Sequence, residues 1–375
     1  MINYSNRIFG FDFLRCLAIL FVLIDHGAFF FTDKIDVENF TVFGFLGVEI
    51  FFVLSGFLIG GIFIKTFDRE DGFNFDSLKN FWIRRWFRTV PNYYLIVLVT
   101  LFVNIFIFKE VFSWSQISLY FLFLQNSYQR QSAFFGESWS LAIEEWFYLT
   151  LPVLMILSDY LFKKVIKEIK FRVLFGVIMF FISVISLRTA VVLFRDPSWD
   201  SGIRKMMPLR LDSILFGVLG SWVSFYYKQL FLKFKIPLVF LGLVSLLLIF
   251  IYYLLFIVGV YSHNYHLFSK VFYFTLTDIC FLCFMPFMST WYVKKQVLVV
   301  RMITIISVLS YSIYLIHRSI IISLLDFYFC SNEIIIQLIK TLLFLVLTFV
   351  FSYFIYKYYE HPITELREKF NKKRI

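Results

Sequence analysis

Long apolar runs broken by short polar segments dominate the chain. Ten of them reach the ~20 residues that a helix needs to cross a hydrocarbon core. They lie near 11–31, 42–64, 87–108, 139–158, 171–194, 209–227, 236–260, 268–290, 303–327 and 334–358. In the seventh, no charged residue occurs from 236 to 269. The run 116–124 is apolar but too short to span, so it predicts an interfacial or re-entrant segment. The first run follows Arg7 and sits where a signal peptide would. It holds Asp12 and Arg15 and lacks a small-residue cleavage site, so it is expected to stay as a helix. The pattern predicts an all-α, polytopic integral membrane protein of about ten transmembrane helices, with one further short or re-entrant helix. Residues 1–375 read as a single membrane domain, without repeats, a low-complexity linker or an appended soluble domain.

Composition sharpens this. Of 375 residues, 60% are hydrophobic and 16% charged, whereas a soluble domain is about half apolar and a quarter charged. A soluble enzyme is excluded. Aromatics make up 22%, with 54 Phe, which suits lipid-facing surfaces and interfacial belts. The net charge of +11 would fit a nucleic-acid partner if it were clustered on one soluble face. With a cytoplasmic N-terminus, however, 24 of the 36 Lys and Arg residues fall in cytoplasmic segments and seven on the opposite side. That asymmetry is the positive-inside signal. It places both termini in the cytoplasm and explains most of the basicity without nucleic acid. Cys280-x-x-Cys283 lies in an apolar run without His or Cys neighbours, so these thiols read as small buried hydrophobes.

Ionisable groups within spans are costly and mark candidate sites. The first span carries Arg15, Asp25 and His26. Arg15 and His26 are eleven residues apart, roughly three turns plus 20°, so they share one helix face ~16 Å apart along the axis. Arg15 then sits near the cytoplasm and His26 deep toward the outer side. The fourth span opens with Trp139, Ser140, Glu144, Glu145 and Tyr148. Ser140, Glu144 and Tyr148 recur at four-residue spacing and share a face, and Glu144 is expected at a depth comparable with His26. Tyr311, Tyr314 and His317 form a stripe in the ninth span. Before the third span, Arg84, Arg85 and Arg88 alternate with Trp82 and Trp86. These arginines serve either as a positive-inside anchor or as a phosphate clamp, since guanidinium binds phosphate bidentately. Gly44, Gly47, Gly56, Gly60 and Gly61 are expected to thin the second helix for close packing. His263 and His266 read as outer-loop surface residues, and no motif indicates a metal.

Together these residues resemble the membrane acyltransferase-3 family, which includes bacterial O-antigen and exopolysaccharide O-acetyltransferases. The resemblance rests on Arg15-x10-His26 and on 47–59, close to the family's second-helix signature. It continues in Arg84-Arg85-x-x-Arg88-x-x-Pro91, Trp139-Ser140-Leu141-x-x-Glu144, and Arg210-Leu211-Asp212 with Gly217. It closes with the run from Ser310 to His317 and with Glu360-His361-Pro362. The motifs span nearly the whole chain in order. Family members often carry Pro after the last His motif, where this chain has Arg318-Ser319. Some relatives add a C-terminal esterase-like domain, which is not found in this sequence; acyl transfer is then expected to finish within the membrane domain.

The resemblance implies a multi-pass protein of the bacterial inner membrane, surrounded by lipid. It uses acetyl-CoA as donor, without a tightly bound cofactor, and a sugar hydroxyl on a surface or lipid-linked glycan as acceptor. His26 is the expected base or nucleophile, with Glu144 and Asp25 orienting or protonating it. Arg15, Arg84, Arg85 and Arg88 are the expected CoA contacts. Trp139, Ser140, Glu145, Asp212, Tyr311 and His317 are expected along the substrate path. The sequence leaves direct transfer and an acyl-His intermediate both open. The rival class is a transporter or flippase of a lipid-linked glycan, which gives no reason for the Arg15–His26 spacing.

Overall fold

The computed structural model describes residues 7–70, 75–128, 131–259, 267–295, 297–331 and 333–371. His263 and His266 lie outside the described residues. The described residues are helical with no strand. Helices α1 (Phe9–Ala28), α2 (Thr41–Arg69), α3 (Phe75–Phe106), α4 (Trp114–Phe121) and α5 (Trp139–Phe162) come first. Next are α6 (Ile169–Arg195), α7 (Asp212–Tyr226), α8 (Lys228–Lys233), α9 (Lys235–Tyr252) and α10 (Leu267–Met288). The chain ends with α11 (Leu298–Ile316), α12 (Ser323–Tyr328), α13 (Ile334–Ile355) and α14 (His361–Asn371). A wider π-helical turn, His317–Ile322, joins α11 to α12, and another, Tyr356–Glu360, joins α13 to α14.

Nine helices among the described residues are long and apolar enough to cross a membrane. They correspond to nine of the ten runs. The tenth, 209–227, forms only the 15-residue α7, ~22 Å at 1.5 Å per residue. It starts at Asp212, after a short turn, Met207–Leu209, that holds Pro208, and the Leu209 carbonyl accepts from Arg188. The backbone before it is sealed inside protein, where non-helical chain is tolerated in a membrane protein. The short run 116–124 falls on the eight-residue α4.

Helix α2 is the hub. In its most apolar window 78% of residues are buried, against 22% for α9 and for the span beginning at α13. The lipid-facing surface is instead carried by the outer helices, with Phe102, Phe194 and Phe240 exposed. Close approach of α2 to α7 depends on Gly56 and Gly217. A Cβ on Gly56 would lie 1.9 Å from the Ile214 carbonyl oxygen, and one on Gly217 would lie 2.1 Å from that of Val53. Small residues substitute for a hydrophobic drive between helices in lipid by letting backbones touch. Gly61 has no such role, since it faces open space. Cys280 and Cys283 are buried and unbridged, and the Cys280 thiol donates to the Gly242 carbonyl at 3.3 Å.

Candidate active site

Helix α1 presents one face to three successive cavities. At one end, a cavity of about 320 Å³ is lined by Asp25, His26, Phe29, Glu38, Thr41, Trp139, Asp200, Arg204, Lys205, Tyr253, Tyr314 and Arg318 among others. Its walls come from connecting segments that the charge pattern assigns to the outer side. At the opposite end, a cavity of about 400 Å³ is lined by Arg7, Arg15, Arg88, Ser310, Tyr311, Glu360 and His361. Between them lies a narrow cavity of about 90 Å³. It shares Arg15, Arg88, Ser310 and Tyr311 with the inner cavity, and Val48 and Tyr314 with the outer one.

In the outer cavity the two imidazoles meet. His26 Nδ1 and His317 Nε2 are 2.6 Å apart, with ring planes 20° from parallel. His317 has no exposed surface, and its Nδ1 lies 2.8 Å from the Tyr314 carbonyl oxygen and 3.2 Å from that of Ile313. Asp25 Oδ2 stands 3.8 Å from His26 Nε2, on the far side of the ring from His317. Gly44 leaves the space for that carboxylate, because a Cβ there would lie 1.8 Å from Asp25 Oδ2. Arg204 and Lys205 both donate to Asp200, at 2.8 and 2.5 Å. Burial pushes the Asp200 carboxyl up, but the two cations more than offset this and hold it below the ordinary range. The Arg318 guanidinium faces the same cavity, 5.9 Å from the centre of the Phe29 ring.

The narrow cavity is polar on one wall. Ser55 Oγ donates to Glu144 Oε1 at 3.1 Å, and the Tyr148 hydroxyl donates to Glu144 Oε2 at 2.9 Å. Arg85 donates to the Tyr148 hydroxyl at 2.6 Å and lies over its ring. The four-residue spacing thus does put Ser140, Glu144 and Tyr148 on one working face of α5. Ser140 and the Tyr314 hydroxyl are 2.7 Å apart, and Tyr314 also donates to the Glu137 carbonyl, which fixes Tyr314 at the neck between the narrow and outer cavities. Toward the inner end, Glu360 accepts from Ser312 at 2.5 Å and from Asn92 at 3.1 Å.

An acyltransferase domain family matches residues 8–357. The chain belongs to that family. A provisionally named O-acetyltransferase of Staphylococcus aureus is 28% identical over 380 residues, covering 94% of this chain and 56% of that protein. The peptidoglycan O-acetyltransferase OatA of Listeria monocytogenes is 32% identical over 170 residues, 41% of this chain and 25% of that protein. A provisionally named peptidoglycan O-acetyltransferase of Bacillus subtilis is 30% identical over 177 residues, 43% of this chain and 26% of that protein. The chain spans about half the length of the staphylococcal relatives it matches. No solved structure matches it.

The structure distributes the candidate residues unevenly. His26, Asp25 and Trp139 line the outer cavity, and His317 bonds His26. Glu144 lines the narrow cavity and bonds Ser55 and Tyr148, not His26. Trp139 already reaches the outer cavity, and five more residues carry Glu144 ~7.5 Å further along the helix. Arg15, Arg85 and Arg88 converge on the narrow cavity. Arg84 is exposed and lines none of the three cavities, although it is the i,i+4 neighbour of Arg88. Tyr311 lines the narrow and inner cavities and donates to the Thr89 carbonyl at 2.8 Å. Glu145 lines none of the three cavities and accepts at 2.6 Å from Thr89, which lines the narrow one. Asp212 lines none of the three cavities; it is fully buried and pairs with Arg188 through two bonds of 2.9 Å.

Arg204, Lys205 and Arg318 join the site only through the fold. In sequence the first two read as ordinary outer-loop charges. Arg318 carries a usable signal, since it is a charge inside an apolar span directly after His317.

Proposed function

We propose that this chain transfers an acyl group, acetyl in the first instance, from cytoplasmic acyl-CoA to a sugar hydroxyl on the outer side of the membrane. The observation that carries this reading is the row of three cavities joining an arginine-lined end to an imidazole pair. CoA is a polyanionic nucleotide on a slender pantetheine arm. Arg15, Arg85 and Arg88 suit its phosphates, the narrow cavity suits the arm, and His26 stands where the thioester would emerge. The acceptor hydroxyl enters from the outer cavity. As its oxygen bonds to the acyl carbon, the carbon–sulfur bond breaks, His26 takes the hydroxyl proton, and CoA leaves as thiolate. The acceptor class is a surface or lipid-linked glycan. The motif resemblance favours an O-antigen or exopolysaccharide, and the names of two relatives favour peptidoglycan.

The test is purified protein in lipid nanodiscs, supplied with acetyl-CoA on the arginine side and each glycan on the other. Glycan-dependent release of free CoA with O-acetylated product supports the proposal. Movement of glycan across the bilayer without thiol release overturns it in favour of a transporter.

A further inference from the structure

We infer that His317 is the positioning residue that sets the tautomer of His26, leaving the His26 Nε2 lone pair as the reactive one. The inference rests on the acyl-transfer reading for its consequence but on hydrogen-bond chemistry for its logic. His317 Nδ1 lies against two backbone carbonyl oxygens, at 2.8 and 3.2 Å. A carbonyl oxygen only accepts, so the proton of this nitrogen is on the ring. An uncharged His317 then has a bare Nε2. A charged His317 would be a buried cation with no exposed surface and no carboxylate bonded to it among the described residues, beside the Arg318 guanidinium, which is a costly arrangement. Bare Nε2 is therefore the acceptor in the 2.6 Å contact, and His26 Nδ1 is its donor. With Nδ1 protonated, His26 keeps its lone pair on Nε2.

That places a carbonyl, two imidazoles and a carboxylate in one directed series. The Tyr314 carbonyl fixes His317, His317 fixes His26, and His26 Nε2 faces the cavity with Asp25 Oδ2 at 3.8 Å. The usual partner that orients a catalytic imidazole is a carboxylate on the nitrogen away from the substrate. Here a neutral imidazole occupies that position, and the carboxylate is on the reactive side. When Nε2 takes the acceptor's proton, Asp25 is the carboxylate beside the new imidazolium. The proton then passes to the departing thiolate, restoring His26.

Two measurements test this separately from the overall function. Protein labelled with ¹⁵N-histidine, compared with His26→Gln for assignment, is expected to show His26 protonated at Nδ1 and bare at Nε2. Protonation at Nε2 overturns the inference whether or not the protein acetylates anything. In kinetics, His317→Leu is expected to lower kcat ~10²-fold or more while the KM for acetyl-CoA stays within twofold. His317→Gln, whose amide oxygen reaches the position of the lost Nε2, is expected to recover at least a tenth of the wild-type kcat. Equal loss in both variants with normal insertion, or an unchanged kcat in the leucine variant, overturns the positioning role. Correct tautomer signals in a protein that transfers no acyl group to any acceptor would instead remove the proposed function.

Discussion

The outer cavity and the cluster where α2, α6, α7 and α10 meet hold the same kinds of charged side chain inside the bundle, and they are built in opposite ways. In the cluster, Arg188 binds both oxygens of Asp212 at 2.9 Å and also the carbonyls of Leu209 and Val271. Arg210 binds both oxygens of Glu49 at 2.7 and 2.8 Å and the hydroxyl of Ser213. All four charged groups have zero exposure; Asp278, also fully buried, sits beside Glu49 as a third carboxylate, and none of the five lines the three cavities. In the outer cavity, His26 Nε2 has only a carboxylate at 3.8 Å, and Asp25 Oδ1 is buried without a hydrogen-bond partner. A charge inside a membrane helix marks a site where it borders open space, as Asp25 and His26 do. Where a carboxylate faces a guanidinium inside solid protein, as Glu49 and Asp212 do, it reads as scaffold.

The sharpest way to break this distinction is to remove one member from each side. His26→Ala is expected to lower acyl transfer ~10²–10⁴-fold with little change in the thermal unfolding of the detergent-solubilised protein. A variant that transfers normally removes His26 from the chemistry. Asp212→Asn leaves Arg188 as an unpaired buried charge and is expected to cost about 3–5 kcal/mol, read as a lower unfolding midpoint and reduced yield. If Asp212→Asn instead folds normally and loses only turnover, the cluster is functional and the contrast fails.

Smaller effects sharpen the inner end. Arg88→Gln is expected to raise the KM for acetyl-CoA ~10-fold, about the value of one charge-assisted hydrogen bond. Arg84→Gln, an i,i+4 neighbour that lines none of the three cavities, is expected to leave the KM unchanged. Equal effects would return both arginines to the role of topology anchors. Glu144→Gln keeps the acceptor oxygen for Ser55 but weakens the Tyr148–Arg85 arrangement. It is expected to raise the donor KM two- to fivefold with kcat nearly intact, whereas an Nε2-assisting role would show as loss of kcat.

Much of the architecture was legible because it follows from a one-dimensional quantity, the length of apolar sequence against bilayer thickness. Nine of ten runs became long helices for that reason. The exception, α7, begins only at Asp212, after the turn Met207–Leu209, and the partners of Arg210 and Asp212 lie on other helices, Glu49 on α2 and Arg188 on α6. The Arg15–His26 face was legible too, since both residues sit on one helix and its period is fixed. The pairing of His26 with His317 was not, because the two are 291 positions apart. Nor was the separation of Glu144 from His26, which depends on how deep the start of α5 sits.

The sequence by itself determined the spans, the side on which basic residues gather, and which helix faces carry ionisable groups. These depend on local periodicity and on the cost of charge in lipid. Only the tertiary structure decided which of those charges pack against one another and which border a cavity. That decision belongs to distances between helices: two bonds from Arg188 close Asp212, while a single imidazole behind His26 leaves its other nitrogen facing the cavity.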